Sequence, residues 1–490
     1  MDISRRSFLW TSLAACTPLF AGAADEAIRI GLLSDIHVGD KKQAEVFRKA
    51  LEAISKRNPD AVVIPGDLAN NGLIHQLELV AETWRKVFPG DKAPDGRPVE
   101  RVFITGNHDI EGHTYRKDGG EAVAAQAIGP RRAEIWEKCF GEKWEPIRIR
   151  EVKGWKFVCA DYGYESEKDL KPFFAAHHDE LASAKAFFYL QHRHPFHTCF
   201  GPHSAGQDTG SSQKVLNRYP NAIAISGHSH MSIHDERAIW QGAFTSIGLS
   251  TLTSPALFGG RENSKRSKLT DEGDEQMPAI WTKPDGKQGM FMWIYPDRMV
   301  IAREEYVYGE RLGPDWEVPF DTTPKNRPFS FEAHARSMPV PEFGAKAAVT
   351  VKQGVGKNRK AQETPQLFVS FPNVLSAGGG TRAYDYEIQI EAEDTDVVKI
   401  ERTKRVYSAH CYLGEKHDTK DVVCAFALDE TPAKRVFRFA VRPGDAFGRL
   451  GSPVFSPWFT RSPEVAKYRR DATCLAADGS VPAQQKNGRF

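Results

Sequence analysis

Short apolar runs alternate with longer amphipathic stretches through the first half of the chain. "AIRIGLLS" (Ala27 to Ser34) predicts a buried strand. Lys41 to Arg57 follows at helical spacing, with Val46, Phe47, Ala50, Leu51 and Ile54 on one face, and Pro59 and Asp60 break it. "AVVIP" (Ala61 to Pro65) predicts the next strand, Ile74 to Val87 the next helix, and "RVFIT" (Arg101 to Thr105) a third strand. "KFVCA" (Lys156 to Ala160), "AFFYL" (Ala186 to Leu190) and "AIAIS" (Ala222 to Ser226) continue the series. Each run gives way to a polar segment rich in Asp, His, Asn or Gly. Strands alternating with helices predict a layered α/β domain with functional residues at the carboxyl ends of its strands.

After about Ser250 the pattern changes. "GMFMWIYPDRMVIAREEY" (Gly289 to Tyr306) predicts a hairpin turning at Pro296-Asp297. A Pro-rich, irregular stretch runs from Pro314 to Pro341. Beyond it Tyr384, Tyr386, Ile388 and Ile390 alternate with polar residues, as do Phe437, Phe439 and Val441. The turn clusters "SAGGGT" and "RPGDAFG" separate these runs. The spacing predicts a smaller all-β domain, a sandwich of fibronectin- or immunoglobulin-like kind. The expected division is a leader over 1–24, an α/β domain over 25–320, a β-sandwich over 321–470 and a polar tail over 471–490. No internal repeat is visible.

The leader reading rests on order. "SRRSFLW" (Ser4 to Trp10) carries an arginine pair, the apolar stretch "FLWTSLAACTPLFAGAA" follows, and Ala21-Gly22-Ala23 matches an A-x-A cleavage site. The Arg5-Arg6 pair points to the twin-arginine route, hence to a periplasmic or secreted protein. "LAAC" (Leu13 to Cys16) resembles a lipoprotein box, but Pro18, Leu19 and Phe20 keep the following stretch apolar, which suits a continuing signal core.

Composition narrows the function classes. At 490 residues the chain is too long for one ordinary core. Its net charge of +2 gives no electrostatic footprint for nucleic acid or an anionic membrane surface. No apolar run reaches the ~20 residues of a membrane-spanning helix. Beyond Cys16 the cysteines (Cys139, Cys159, Cys199, Cys411, Cys424 and Cys474) form no C-x-x-C pair, so neither a zinc ribbon nor a dithiol redox site is indicated. Cys411 and Cys424 flank a short loop and can either pair or stay as buried thiols.

The polar residues closing the strands carry the chemistry. "SDIHVGD" supplies Asp35 and His37, "PGDLANNG" supplies Asp67, "TGNHD" supplies Asn107, His108 and Asp109, "QHRHP" supplies His192 and His194, and "GHSH" supplies His228 and His230. Carboxylates and imidazoles with an amide oxygen suit borderline divalent cations such as zinc, manganese or iron, and no thiol takes part. In an extended segment residues i and i+2 share a side, so Asp35 with His37, and His228 with His230, can each face one cluster. The glycines before Asp67, Asn107 and His228 allow sharp turns. Seven candidate ligands exceed one tetrahedral ion and suit two ions sharing a carboxylate.

The ordered series D-x-H, G-D, G-N-H-D, a later His, and G-H-x-H, each after an apolar strand, resembles the calcineurin-like metallophosphoesterases over about Ile28 to Tyr306. That resemblance implies a four-layer α/β/β/α sandwich with a binuclear centre. By motif match Asp35, His37 and His230 would hold one metal, Asn107, His192 and His228 the other, and Asp67 would bridge them. A water between the ions would be the nucleophile on a small phosphate mono- or diester. His108 would face the leaving oxygen, and Asp109 would orient His108.

The family pattern commonly reads H-x-P at the later His. Here Arg193 stands at the position two before Pro195, so His192 or His194 must serve. His192 follows the strand directly and is favoured, leaving His194 as a neighbour or substrate contact. His75, His177, His178, His197, His203 and His234 read as ordinary surface or loop residues, while Asn70 and Asn71 line the expected cleft. The alternative function is a catalytically weak metal domain carrying a glycan- or protein-binding sandwich.

Overall fold

The computed structural model describes residues 27–117, 120–201, 204, 206–257, 260–261, 280–281, 286–306, 309–321, 323, 326–358, 360–374, 382–394, 397–408, 421–468, 473–474, 476 and 478–481. The leader, Cys16, His203, Cys411 with its pairing to Cys424, and the rest of the polar tail lie outside the described residues.

Chain order in the first half is β1 (Ile28–Leu32), α1 (Lys41–Ser55), β2 (Ala61–Pro65), α2 (Ile74–Val87), β3 (Glu100–Ile104), α3 (Asn107–Glu111), α4 (Glu121–Ala124) and α5 (Arg132–Phe140). Then come β4 (Ile147–Val152), β5 (Trp155–Ala160), α6 (Glu167–Ala176), α7 (His178–Leu181), β6 (Phe187–Leu190), α8 (Ser211–Leu216) and β7 (Ala222–Ser226). Short strands β8 (Ile239–Gln241), β9 (Thr245–Gly248), β10 (Ala256–Leu257) and β11 (Ile280–Trp281) follow. The predicted hairpin is β12 (Gln288–Ile294) and β13 (Arg298–Glu305), followed by β14 (Glu310–Arg311) and β15 (Trp316–Pro319).

Apart from β10 and β11, which pair with each other, these strands make two sheets. One runs β14-β13-β12-β1-β2-β3, with β15 also on β13, and the other β4-β5-β6-β7-β9-β8. Within them β1-β2-β3 and β5-β6-β7-β9 are parallel. The strands alternate two apolar faces. In β2, Ala61 and Val63 join the core between the sheets, while Val62 and Ile64 face the outer helices. The central core sets Ile30, Leu32, Val63, Val102 and Met292 against Phe157, Phe188, Leu190, Ile225 and Ile247. Outside the first sheet pack Phe47, Leu51 and Ile54 of α1, Leu77 and Trp84 of α2, and Trp136 of α5. Outside the second pack Leu170 and Phe174 of α6, Leu181 of α7, and Val215 and Leu216 of α8. Three cores separate four layers, and burial on both faces explains why the strands read as unbroken apolar runs.

Local chemistry sets the helix limits. The Asp40 carboxylate accepts the Gln43 N–H at 2.9 Å and starts α1. The buried face holds Ala44 where Val46 was expected, and Val46 is half-buried. Left-handed Asn58 (φ 48°) then turns the chain into β2. Three elements differ from expectation. The Pro-rich stretch carries β15, an edge strand whose Trp316 and Val318 alternate inward, and α9 (Phe331–Ser337), whose start Ser330 Oγ caps on Ala333 N at 3.2 Å. Strand β4 was hidden because "IRIREV" spaces charges where a buried strand would have apolar residues. Its Arg148 is buried against Asp161 and donates to Phe103 O at 2.7 Å, tying β4 to β3 of the other sheet.

The C-terminal part is antiparallel except for its last pair of strands. Strands β16 (Thr350–Lys357), β17 (Glu363–Phe371) and β20 (Val422–Ala427) form one sheet. Strands β18 (Asp385–Asp394), β19 (Val397–Tyr407), β21 (Phe437–Gly444), β22 (Val454–Phe455), β23 (Phe459–Thr460) and β24 (Thr473–Cys474) form the other. A short helix, α10 (Pro463–Tyr468), precedes the last strand. Leu367, Val369 and Phe371 pack against Tyr386, Ile388, Ile390, Phe437, Phe439 and Val441, so the alternation read from the sequence is the inner face of a β-sandwich. Among the described residues, no helix is long and apolar enough to cross a membrane.

The central core fixes how the two sheets meet. Phe188 stacks on Phe157 at 4.6 Å between ring centres, across neighbouring strands of the second sheet. Phe188→Ala is expected to lower unfolding free energy by about 3–5 kcal/mol, read as a drop in urea midpoint with an unchanged slope.

Candidate metal centre

The carboxyl ends of the parallel strands lie at one edge, where the two sheets converge. Asp35 and His37 follow β1, Asp67 follows β2, and Asn107, His108 and Asp109 open α3 after β3. His192 follows β6, and His228 and His230 follow β7. All but His108, His228 and His230 are buried, and those three are half-buried.

The turns are not the extended segments expected from D-x-H and H-x-H. Asp35, His37, His228 and His230 each take a left-handed φ, at 48°, 44°, 67° and 55°, and Asp67 takes 54°. Each pair reaches one cluster because left-handed residues alternate with ordinary ones. Hydrogen bonds enforce the shape: Asp35 N donates to Gly66 O (3.3 Å), His37 N to Asp67 O (3.0 Å), and His228 N to Asp35 Oδ2 (2.9 Å).

The three glycines also act differently from the expected sharp turns. Only Gly66 has a positive φ, 102°. A Cβ there would stand 2.5 Å from His192 Nδ1 and 2.9 Å from Gly106 Cα. At Gly106 a Cβ would overlap Asp67, and at Gly227 it would overlap Ser34 and Asp35. Close approach of the Asp67 carboxylate and of the Ser34 and Asp35 side chains, not turn geometry, demands glycine at the last two.

The side chains form two groups. Ligand-type atoms of Asp35, His37, Asp67 and His230 lie within 4.8 Å of one another, and so do those of Asp67, His192 and His228. In the first group His230 Nε2 is 3.1 Å from Asp35 Oδ1, and His37 Nε2 is 3.6 Å from Asp67 Oδ2. In the second, His192 Nε2 lies 3.2 Å from Asp67 Oδ2, 3.0 Å from Asn107 Oδ1 and 3.2 Å from His228 Nδ1. Asp67 belongs to both.

Partners outside the cluster set which nitrogens face it. His192 Nδ1 sits on Pro65 O at 2.8 Å and His230 Nδ1 on Ser254 O at 3.3 Å. With Nδ1 donating to each carbonyl, Nε2 is the nitrogen that faces the cluster, and in the neutral ring its lone pair would be free for a cation. His37 Nδ1 is buried without such a partner among the described residues. Tyr115 OH meets Asn107 Nδ2 at 3.3 Å, turning the amide oxygen toward His192.

Burial opposes charge throughout, and pairing decides where charge survives. Desolvation alone would raise Asp35, but the charge and hydrogen bond of His230 outweigh it and hold the carboxyl below its ordinary range. His192 does the same for Asp67. Burial pushes His37 and His228 down to about 3, so both rings stay neutral. Two ionised carboxylates, an amide oxygen and four imidazoles without a thiolate fit a borderline divalent cation. His37 Nε2 and His230 Nε2 point at each other at 3.0 Å, close enough for both nitrogens to face one cation.

Two expectations are corrected. Asp109 does not touch His108. Its carboxylate accepts Leu68 N (3.1 Å), Ala69 N (2.6 Å) and Gly106 N (2.8 Å), while His108 Nδ1 is held by the Asn70 carbonyl at 2.7 Å. Asp109 therefore braces the Asp67 loop against the Asn107 turn. His194 is not a pleat-mate of His192, because β6 ends at Leu190 and the chain turns. His194 is fully buried, with Nε2 2.9 Å from Ser204 Oγ, so it reaches neither the cluster nor a substrate. Arg193 donates to Tyr162 OH at 3.1 Å.

His177 pairs with Glu180, His178 with Tyr219, and His75 is exposed, all apart from the cluster. His197 stacks on Phe196 and His234 is buried elsewhere. Asn70 serves by its carbonyl, and its amide bonds Asn71. The sequence reading missed Tyr115, Ser254 and Glu165, whose Oε1 accepts His192 N at 3.3 Å. None of the three lies in a motif or at a strand end that pattern could have marked.

Residues 28–232 match the family model described as calcineurin-like phosphoesterase. A protein of Danio rerio described as a transmembrane protein with metallophosphoesterase domain is 25% identical over 214 residues, 41% of this chain and 40% of that protein. The match thus spans well under half of that relative's length. Among solved structures, GAP50, the anchor in the inner membrane complex of Plasmodium, is 12% identical over 59% of this chain and 88% of its own, with a TM-score of 0.35. The purple acid phosphatase PPD1 of yellow lupin (Lupinus luteus) seeds is 12% identical over 58% of this chain and 52% of its own, with a TM-score of 0.38. Through the strands and turns of residues 28–232, this chain is thus similar to the calcineurin-like phosphoesterases.

Proposed function

We propose that the chain is a phosphoester hydrolase working with two divalent cations, zinc, manganese or iron, on small phosphate mono- or diesters. The observation that supports this most is the double membership of Asp67, one carboxylate common to two clusters. Asp35, His37 and His230 would complete one set, and Asn107, His192 and His228 the other. When bound, such cations polarise phosphoryl oxygens and make a water acidic enough to serve as nucleophile near neutral pH. We read residues 25–320 as the phosphoesterase domain and 321–470 as the sandwich.

The chain's own residues divide the remaining work. His108 stands edge-on to His37 at 4.5 Å between ring centres. With its Nδ1 on the Asn70 carbonyl, its Nε2 is the atom that would hold a proton for the leaving oxygen. Its backbone N–H donates to Asp67 Oδ1 at 2.8 Å, so one turn positions both the proton donor and the shared carboxylate. The Tyr115 ring, 50% exposed and 5.1 Å from His108, would form a wall beside the leaving group.

Three outcomes test this reading. Asp67→Asn is expected to lower bound metal, by elemental analysis, and kcat/KM on p-nitrophenyl phosphate or its bis ester by about 100-fold or more. Activity unchanged by that substitution would remove the bimetal mechanism. A metal-replete wild type inactive on both esters would favour the binding-module alternative. His108→Gln is expected to cost about 10²–10⁴-fold, and more on an alkyl phosphate than on p-nitrophenyl phosphate, whose leaving group needs no proton. An equal loss on both would deny His108 the donor role. Export by the twin-arginine route rests on Arg5 and Arg6. Arg5→Lys with Arg6→Lys is expected to leave the protein in the cytoplasmic fraction, and undiminished export would exclude that route.

A further inference from the structure

The reading above leaves the C-terminal sandwich without a task, yet two described stretches of one strap, residues 251–257 and 260–261, are hydrogen-bonded to the metal centre and to the sandwich respectively. At the near end Thr251 Oγ1 donates to Asp35 O at 2.8 Å. Ala256 N donates to His230 O at 2.7 Å, Ser232 N returns a bond to Ala256 O at 3.0 Å, and Ser254 O receives His230 Nδ1. At the far end Arg261 is 1% exposed, with Nη1 2.7 Å from Asp385 Oδ1 and Nη2 2.6 Å from Glu387 Oε2, both on β18 of the sandwich. Gly260 N reaches Tyr407 OH of β19 at 3.4 Å, and Gly260 O accepts Arg237 Nη1 at 3.0 Å. The Arg237 guanidinium in turn lies 4.7 Å from the Tyr384 ring centre, at the start of the same sheet.

The connection is one-sided. It touches Asp35 and His230, both in the first group of ligand-type residues. Among the described residues the strap makes no hydrogen bond to Asn107, His192 or His228. A guanidinium buried between two carboxylates has little freedom to shift, because leaving them would strand charges away from water. The strap is thus anchored in the sandwich at one end and carries half of the cluster at the other.

We infer that the sandwich is a positioning element for one half of the centre: Arg261, clamped by Asp385 and Glu387, holds the strap that sets Asp35 and His230. The inference rests on the two-cation reading. It predicts that weakening the clamp loosens one cation and spares the other. A merely structural role would weaken both together.

The test uses the full chain and Mn²⁺, followed by calorimetric titration and electron paramagnetic resonance. Wild type is expected to bind two Mn²⁺ and to show the signal of a spin-coupled pair. Arg261→Met, which keeps the aliphatic length but not the charge, is expected to weaken one binding event about ten-fold or more and leave the other within about two-fold. The coupled signal should give way to that of isolated Mn²⁺, and Arg261→Lys should recover part of the loss. If Arg261→Met does not unfold cooperatively, Asp385→Asn and Tyr407→Phe carry the same titration. Both events weakened equally, or both unchanged in every folded variant, would overturn the clamp while leaving the two-cation reading intact. A wild type that binds no Mn²⁺ would overturn that reading and the clamp with it.

Discussion

An ionised carboxylate in a protein interior is costly unless donors or cations surround it. Asp35 is 0% exposed and Asp67 1% exposed, at the line where two sheets meet. Much of the surrounding architecture can be understood as meeting that cost. Ser34 Oγ and His228 N donate to Asp35, and His108 N donates to Asp67. These donors come from both sheets, so the charges tie the sheets together at the edge where the apolar core ends. The close contact needed for that leaves no room for a Cβ at Gly106 or Gly227. Charge burial, cross-sheet bonding and small residues are therefore one requirement seen three ways.

The same requirement explains backbone that no residue would choose alone. Five non-glycine residues at the cluster take left-handed φ values. Each such residue costs about 1–2 kcal/mol, against a typical domain stability of about 5–15 kcal/mol. The strain persists because the chain at each turn is bonded to its neighbour: Asp35 to Gly66, His37 to Asp67, Val38 to Leu68. Strain is concentrated where ligand-type side chains must converge from separate strands, as at many functional sites.

What the sequence disclosed follows from the same physics. Strands covered on both faces must be apolar throughout, so a polar residue just beyond one marks the strand's exposed edge. That made Asp35, Asp67, Asn107, His192 and His228 legible, along with the helices between them. The inner face of β18 was legible for the matching reason, since Tyr386, Ile388 and Ile390 alternate over one buried face. Strand β4 was not, because Arg148 is buried by pairing with Asp161 and not by being apolar. Nor was the Asp109 brace, whose partners Leu68 and Ala69 lie some forty positions away in the chain. Pattern reports which face a residue takes; it does not report which backbone atoms of a distant loop it will meet.

The two halves of the cluster are also held by different means. Asn107, His192 and the shared Asp67 lie two or three residues past the ends of β3, β6 and β2, braced by Asp109 and by the Pro65 carbonyl, and Tyr115 fixes the amide of Asn107. Their spacing is therefore set by turns braced from the neighbouring strands and loops of the α/β layers, on rigid elements that hold a site tightly. Asp35 and His37 share that support through β1, but His230 lies two residues past its strand-end partner His228 and depends on Ala256 and Ser254 for its place. A ligand-type residue set by a strap can move by as much as the strap can. The place of His230 is thus decided where the strap is anchored, at Arg261 between two carboxylates of the sandwich, while the α/β layers hold the other members directly.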